Sequence, residues 1–184
     1  MAFKDNILTF EDDKIISDNS HFNMEVMMDW ESPIMGKSAE YICSSKGDIL
    51  EIGFGMGICA DYIQAQVVNS HTIIEIHPQI LERLNTWAEG KPNVTVIEGD
   101  WSSVSGLSTY DGIFLDTFGD DNWNNFKPFA VEKAKSGAKI TYWNNGLENE
   151  HGFNGISYEE ISINPDNNSY IWDYDKYSMP KVVI

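Results

Sequence analysis

In the stretch "ILEIGFGMG", residues 49–57, an apolar run interrupted by Glu51 gives way to glycines at 53, 55 and 57. A strand that ends in residues without side chains lets a ligand approach the backbone closely, and free amides at the start of a following helix favour anionic groups. Glu75 stands 22 residues after Gly53, at the end of the next apolar run, where a carboxylate can take both hydroxyls of a ribose. Further along, "EGDW" brings Gly99, Asp100 and Trp101 together. Asp100 can accept a hydrogen bond from an adenine amino group, and Trp101 can stack on the ring or close the pocket. "IFLDTF" adds Asp116, and Asn144 and Asn145 follow the last apolar run. These residue types, in this order, point to a nucleoside-bearing ligand lying across a glycine turn. The G-x-G-x-G spacing differs from the G-x-G-x-x-G of nicotinamide enzymes, and no second mononucleotide-binding half is visible.

Such residues act together only if strands deliver them to one edge. Strand patterns at "GDILEI", "HTIIEIH", "NVTVIEGD", "YDGIFLDTF" and "AKITYWNN" alternate with helical patterns at "ICADYIQAQ", "PQILERLNTWAEG" and "WNNFKPFAVEKAKSG". The last of these helices is expected to run into Gly137. Alternation of this kind implies right-handed crossovers and a mostly parallel α/β sheet, with ligands bound beyond the carboxyl ends of its strands. "SYEEISIN" and "YIWDYDKYSMPKVVI" flank "PDNN" and read as an antiparallel hairpin on the sheet edge. Before the first strand, Met24, Met27, Met28, Ile34, Met35 and Ile42 fall at roughly helical intervals, predicting two helices that meet at Ser32-Pro33. Residues 1–25 are polar and acidic and read as an arm or short helix lying on the domain and covering the site. A single domain over residues 1–184 is expected.

The formal charge of -17 repels nucleic acid and anionic membranes and favours cationic ligands. No apolar run is long enough to span a bilayer, and the first residues carry charge where a signal peptide needs an apolar core. Cys43 and Cys59 form no C-x-x-C pair, and His21, His71, His77 and His151 show no zinc spacing, so no metal is expected. A soluble, cytoplasmic enzyme or binding protein of small molecules is the resulting expectation. Oligomeric state is not legible.

The ordered glycine turn, Glu75 and "EGDW" resemble class I S-adenosylmethionine-dependent methyltransferases. Together, "VMMDWESPIM", "ILEIGFGMGICA", "IIEIHPQILERLNTWA" and "DGIFLDTF" are similar to guanidinoacetate N-methyltransferase and its arginine-methylating relatives. The resemblance spans roughly residues 24 to 184 and is weakest between 144 and 156. It implies a Rossmann-like methyltransferase fold with S-adenosylmethionine as cofactor. By the resemblance, Met27 and Met35 line the methionine end of that cofactor. Gly53 and its neighbours, with Glu51, Gly55 and Gly57, hold its amino and carboxylate groups. Glu75, beside Ile76, takes the ribose, and Gly99, Asp100 and Trp101 meet the adenine. Asp116 borders the cofactor and, with Glu31, forms the substrate carboxylates.

Methyl transfer needs a nucleophile lined up behind the methyl with its lone pair free. A guanidinium offers a planar fork of N–H donors that carboxylates match in pairs, so two acids can grip it, orient one nitrogen and take its proton. The alternative for Glu31 is an N-terminal cap of the following helix. For Asp116 it is a strand-end hydrogen bond. After the fifth strand the chain departs from the family pattern: "TYWNNGLENEHGF" is bulky at Trp143 and acidic at Glu148 and Glu150. The leading substrate is guanidinoacetate-like, followed by arginine or another small amine. A non-catalytic S-adenosylmethionine-binding protein is the other alternative.

Overall fold

The computed structural model describes residues 3–19, 22–165, 169 and 173–184. The chain begins with a short 3-10 turn, Phe3–Asp5, and three antiparallel strands: β1 (Ile7–Phe10), β2 (Lys14–Asn19) and β3 (Phe22–Met28). This small sheet replaces the expected arm and the first of the two expected helices. The misreading has a local cause. Ile15 pairs with Met27 and Ile16 with Glu25, so Val26 is an extra residue in β3. A bulge of this kind breaks the period of two and leaves adjacent Met27 and Met28 both buried, a spacing that also suits a helix. A second 3-10 turn, Asp29–Glu31, leads into α1 (Ser32–Ile42), with Pro33 in its first turn, where a missing N–H costs nothing.

The main body is β4 (Asp48–Ile52), α2 (Ile58–Ala65), β5 (Ser70–Glu75), α3 (Pro78–Ala88), β6 (Val94–Glu98), β7 (Tyr110–Leu115), α4 (Phe126–Lys133), β8 (Ala134–Tyr142), β9 (Ser157–Ser162) and β10 (Lys176–Val183). Seven strands form one sheet in the order β6-β5-β4-β7-β8-β10-β9. The first five in that order are parallel, while β10 runs antiparallel to both β8 and β9. The expected mostly parallel sheet and antiparallel edge hairpin are therefore present. Part of the expected "PDNN" turn (residues 166–168) lies outside the described residues.

Both faces of the central strands are covered, which is why they read as continuous apolar runs. Ile49 and Phe114 pack with Ile42 of α1 and Ile63 of α2. Leu50, Ile52, Ile113 and Leu115 pack on the other side with Phe126 and Ala130 of α4. The last helix is shorter than its pattern predicts. It ends at Lys133, and the chain passes directly into β8, with Gly137 inside the strand at a φ of 82°. Lys135 Nζ lies 2.6 Å from both Asp48 Oδ2 and Asp111 Oδ2, anchoring this stretch beside the starts of β4 and β7. Among the described residues no helix is long and apolar enough to cross a membrane.

Candidate active site

A cavity of about 810 Å³ opens beyond the carboxyl ends of β4 to β7. β4 delivers Glu51 and the glycine turn to it. Gly53 has a φ of 90°, and a Cβ there would lie 1.9 Å from the backbone oxygen of Asp116. At Gly55 a Cβ would meet Met27 Sδ at 2.4 Å. The glycines thus let the end of β7 and the N-terminal sheet close around the turn, as well as leaving it open to a ligand. Gly57 begins α2 as its N-cap and is not on the cavity wall. Gly53→Ala is expected to lower stability by about 3 kcal/mol or more, because backbone strain and a backbone clash act together. The urea midpoint measures this, and a parental midpoint would contradict the packing described.

Glu75, at the end of β5, is 4% exposed. Its Oε2 accepts the amide of Phe54 at 3.0 Å, and its Oε1 accepts those of Ile76 and His77 at 2.8 Å. One carboxylate therefore ties the glycine turn to the start of α3, with Ile76 beside it on the wall. Glu51 is 1% exposed, and its Oε2 lies 2.8 Å from Nε2 of the equally buried His71 on β5. Gln64 Nε2 lies 3.2 Å from the other ring nitrogen. If Gln64 donates there, Nε2 carries the ring proton and donates to Glu51. Glu51 Oε1 has no hydrogen-bond partner. The His71 contact was not read from the sequence, although a histidine inside "HTIIEIH" is a visible anomaly in an apolar strand.

Glu31 and Asp116 come together from opposite sides. Glu31 accepts the amide of Met28 at 3.0 Å, closing the Asp29–Glu31 turn, and its side chain does not cap α1. Burial raises its carboxyl well above the ordinary range, and the negative charges of Asp116 and Glu25 add to this. Asp116, partly buried after β7, is pushed up to about 7 by burial and by Glu51. Met27 and Met35, both buried, complete this half of the wall.

On the opposite half, Gly99, Asp100 and Trp101 follow β6. Trp101 is both wall and core, packed edge-on against Phe126 and Phe129, and its indole N–H donates to Asp120 Oδ2 at 2.7 Å. Asp120 also accepts from Thr117 Oγ1, and Asn122 Nδ2 donates to Asp100 Oδ2 at 3.0 Å. The loop after β7 is thus stitched to the loop after β6, a link that the turn-rich "DTFGDDNW" only hints at. The N-terminal segment reaches the cavity wall, with Phe3 and Lys4 from the 3-10 turn and Glu25 and Met27 from β3. Trp143 and Asn145 line it from the segment after β8. The acids of the divergent loop do not: Glu148 is exposed, and Glu150 accepts the indole N–H of Trp123 at 3.2 Å.

Burial raises Glu31, Glu51, Glu75 and Asp116 above their ordinary values. The folded chain then holds more protons than the unfolded chain above about pH 4, where unfolded carboxyls have lost theirs. Stability is fully present below that pH and is lost as pH rises through the folded values, about 7 for Asp116. The ligand-free protein should therefore show a higher urea midpoint at pH 5.5 than at pH 8, with a smaller difference in Asp116→Asn. A midpoint that rises toward pH 8 would contradict this.

The family model described as guanidinoacetate N-methyltransferase matches residues 11–162. Among curated proteins, "Protein arginine N-methyltransferase 2" of Emericella nidulans is 31% identical over 209 residues, covering 94% of this chain and 47% of that protein. The chain spans about half or less of the length of the curated relatives it matches. Among solved structures, spermidine synthase from Thermotoga maritima aligns with a TM-score of 0.67 at 10% identity, covering 96% of this chain and 72% of that one. The N-methyltransferase NodS from Bradyrhizobium japonicum WM9 aligns with a TM-score of 0.65 at 12% identity, covering 84% and 96%. The two structural likenesses establish the shared fold.

Proposed function

The chain belongs to the guanidinoacetate N-methyltransferase family, and from that premise we propose that it methylates a guanidinium nitrogen, with S-adenosylmethionine as methyl donor. The observation that carries this reading is the pairing of Glu31 and Asp116 on one cavity wall, each raised by burial and positioned by a different part of the chain. Two neighbouring carboxyl groups suit a cation between them, and a guanidinium matches them in shape as well as charge. The rest of the wall suits the donor. Glu51 Oε1, buried and without a partner, is a ready acceptor for an ammonium group. The Gly53 turn leaves room at the backbone, Glu75 suits ribose hydroxyls, and Asp100 and Trp101 suit adenine.

When bound, the cofactor would supply an electrophilic methyl group on a sulfonium, with a neutral thioether as the leaving group. The chain's own part is positional and acid–base. Asp116 and Glu31 hold the guanidinium and orient one nitrogen toward the methyl. Asp116, with a value near neutrality, accepts the proton that nitrogen releases. Trp143 and the N-terminal sheet limit water access. Incubation with methyl-labelled cofactor and a panel of guanidino compounds, read by mass spectrometry, tests the proposal. Cofactor binding without any methylated product would favour the non-catalytic alternative.

A further inference from the structure

We propose that His71, which lies behind the cavity wall, is a positioning residue of the active site: held between Gln64 and Glu51, it fixes the Glu51 carboxylate in place for both the methyl donor and Asp116. This rests on the methyl-donor reading above and extends it to a residue that touches neither ligand. A fully buried imidazole is costly unless both ring nitrogens are paired. In His71 both are: Nε2 lies 2.8 Å from Glu51 Oε2, and Nδ1 lies 3.2 Å from Gln64 Nε2. Parallel pairing of β4 with β5 sets Ile49 beside His71 and Glu51 beside Ile73, so both side chains leave the face of the sheet that α2 covers. Trp87 of α3 packs edge-on against the ring at 6.2 Å. With the Gln64 amide donating to Nδ1, the ring proton sits on Nε2 and goes to Glu51. The other titratable groups that face Glu51 give it less support. Asp61 of α2, Glu75 at the end of β5 and Asp116 after β7 are acids, and burial keeps the thiols of Cys43, just after α1, and Cys59 of α2 protonated. The His71 hydrogen bond opposes the burial that raises Glu51. Asp116 in turn faces Glu31, Cys59 and Glu51, and its N–H donates to Ile52 O at 2.9 Å, next to Glu51 in β4. Loss of the donor at Glu51 Oε2 therefore has two consequences. Glu51 takes up a proton more readily and stops serving as counter-charge to the methyl donor's ammonium group, and Asp116 loses a repulsion and ionises at lower pH.

Two amide variants separate position from packing. Glutamine carries its side-chain N–H near the place of Nε2 and can still donate to Glu51, whereas asparagine carries it near the place of Nδ1, toward Gln64, and falls short of Glu51. By calorimetry, His71→Gln should bind S-adenosylmethionine nearly as tightly as the parent, and His71→Asn about 10-fold or more weakly. In the ligand-free proteins, carbon-13 NMR of the Asp116 carboxyl, assigned with Asp116→Asn, should show it titrating at about 7 in the parent and in His71→Gln, and at lower pH in His71→Asn. Nitrogen-15 shifts of the His71 ring in the parent should place a proton on Nε2, and they decide the matter even where a variant fails to fold. Equal weakening of both variants, parental affinity in a folded His71→Asn, an unmoved Asp116 titration in it, or a bare Nε2 in the parent overturns the positioning role. None of these readouts involves a methyl acceptor, so failure of the guanidinium reading shows separately, as absence of transfer to every guanidino compound. A parent that does not bind the cofactor overturns both.

Discussion

Asp116→Asn should cut methyl transfer about 100- to 10,000-fold while leaving cofactor affinity close to parental, the range a positioned general base supplies. Asparagine keeps the shape of the side chain but not its charge, and its amide donors would face the substrate's own donors. The fold should not suffer. Asp116 is held up to about 7 by burial and by Glu51, so removing its ionisation relieves repulsion and leaves the variant at least as stable at pH 8. The same value sets the pH dependence. Below about pH 7 the free enzyme carries Asp116 protonated, unable to accept the guanidinium's proton, so kcat/KM of the parent should rise through that pH. The residual activity of Asp116→Asn should lose this limb. Glu31→Gln can retain the Met28 hydrogen bond through its amide oxygen, so its fold should also stand. Its effect should fall more on KM than on kcat, because Glu31 is assigned to holding the substrate. Steady-state kinetics over pH 6 to 9, with calorimetric cofactor affinity in parallel, measures all of this. Parental turnover in Asp116→Asn would refute the carboxylate mechanism.

Glu75→Ala should weaken binding of S-adenosylmethionine by about 30-fold or more, equivalent to about 2 kcal/mol, because the ribose hydroxyls lose their buried acceptor. It should also lower stability. Glu75 accepts three backbone amides, those of Phe54, Ile76 and His77, and each buried donor left unpaired costs about 1–3 kcal/mol. The two effects separate by experiment. Circular dichroism fixes a temperature at which the variant is folded, and calorimetry at that temperature reads affinity alone. Unchanged affinity in a folded Glu75→Ala would remove Glu75 from the cofactor site. A preference of the parent for a nicotinamide dinucleotide would remove the cofactor assignment altogether.

By itself, the sequence determined the central sheet and the residues that edge it. Strands β4, β5 and β7 are covered on both faces, so burial writes them as apolar runs, and Glu75 and Asp116 stand out because each ends such a run. Pro78 in the first turn of α3 and Gly90 just beyond its end mark that helix with backbone chemistry that needs no tertiary help. What only the tertiary structure decided depends on partners far apart in the chain. Whether Met24 to Met28 form helix or strand turns on pairing with β2 and on the extra residue Val26, since the local spacing fits both. The early start of β8 is accompanied by Lys135 meeting Asp48 and Asp111, 87 and 24 residues away. The partnership of Glu51 with His71 comes from neighbouring parallel strands, and the link from Asp100 to Asn122 from two separate loops. The acidity of Glu148 and Glu150 was plain in the sequence, but their direction was not: chain folding turned one to solvent and the other to Trp123, and put Glu25 on the cavity wall. Periodicity reports the face on which a residue lies relative to its own element; which charges share a cavity is fixed only when distant elements pack.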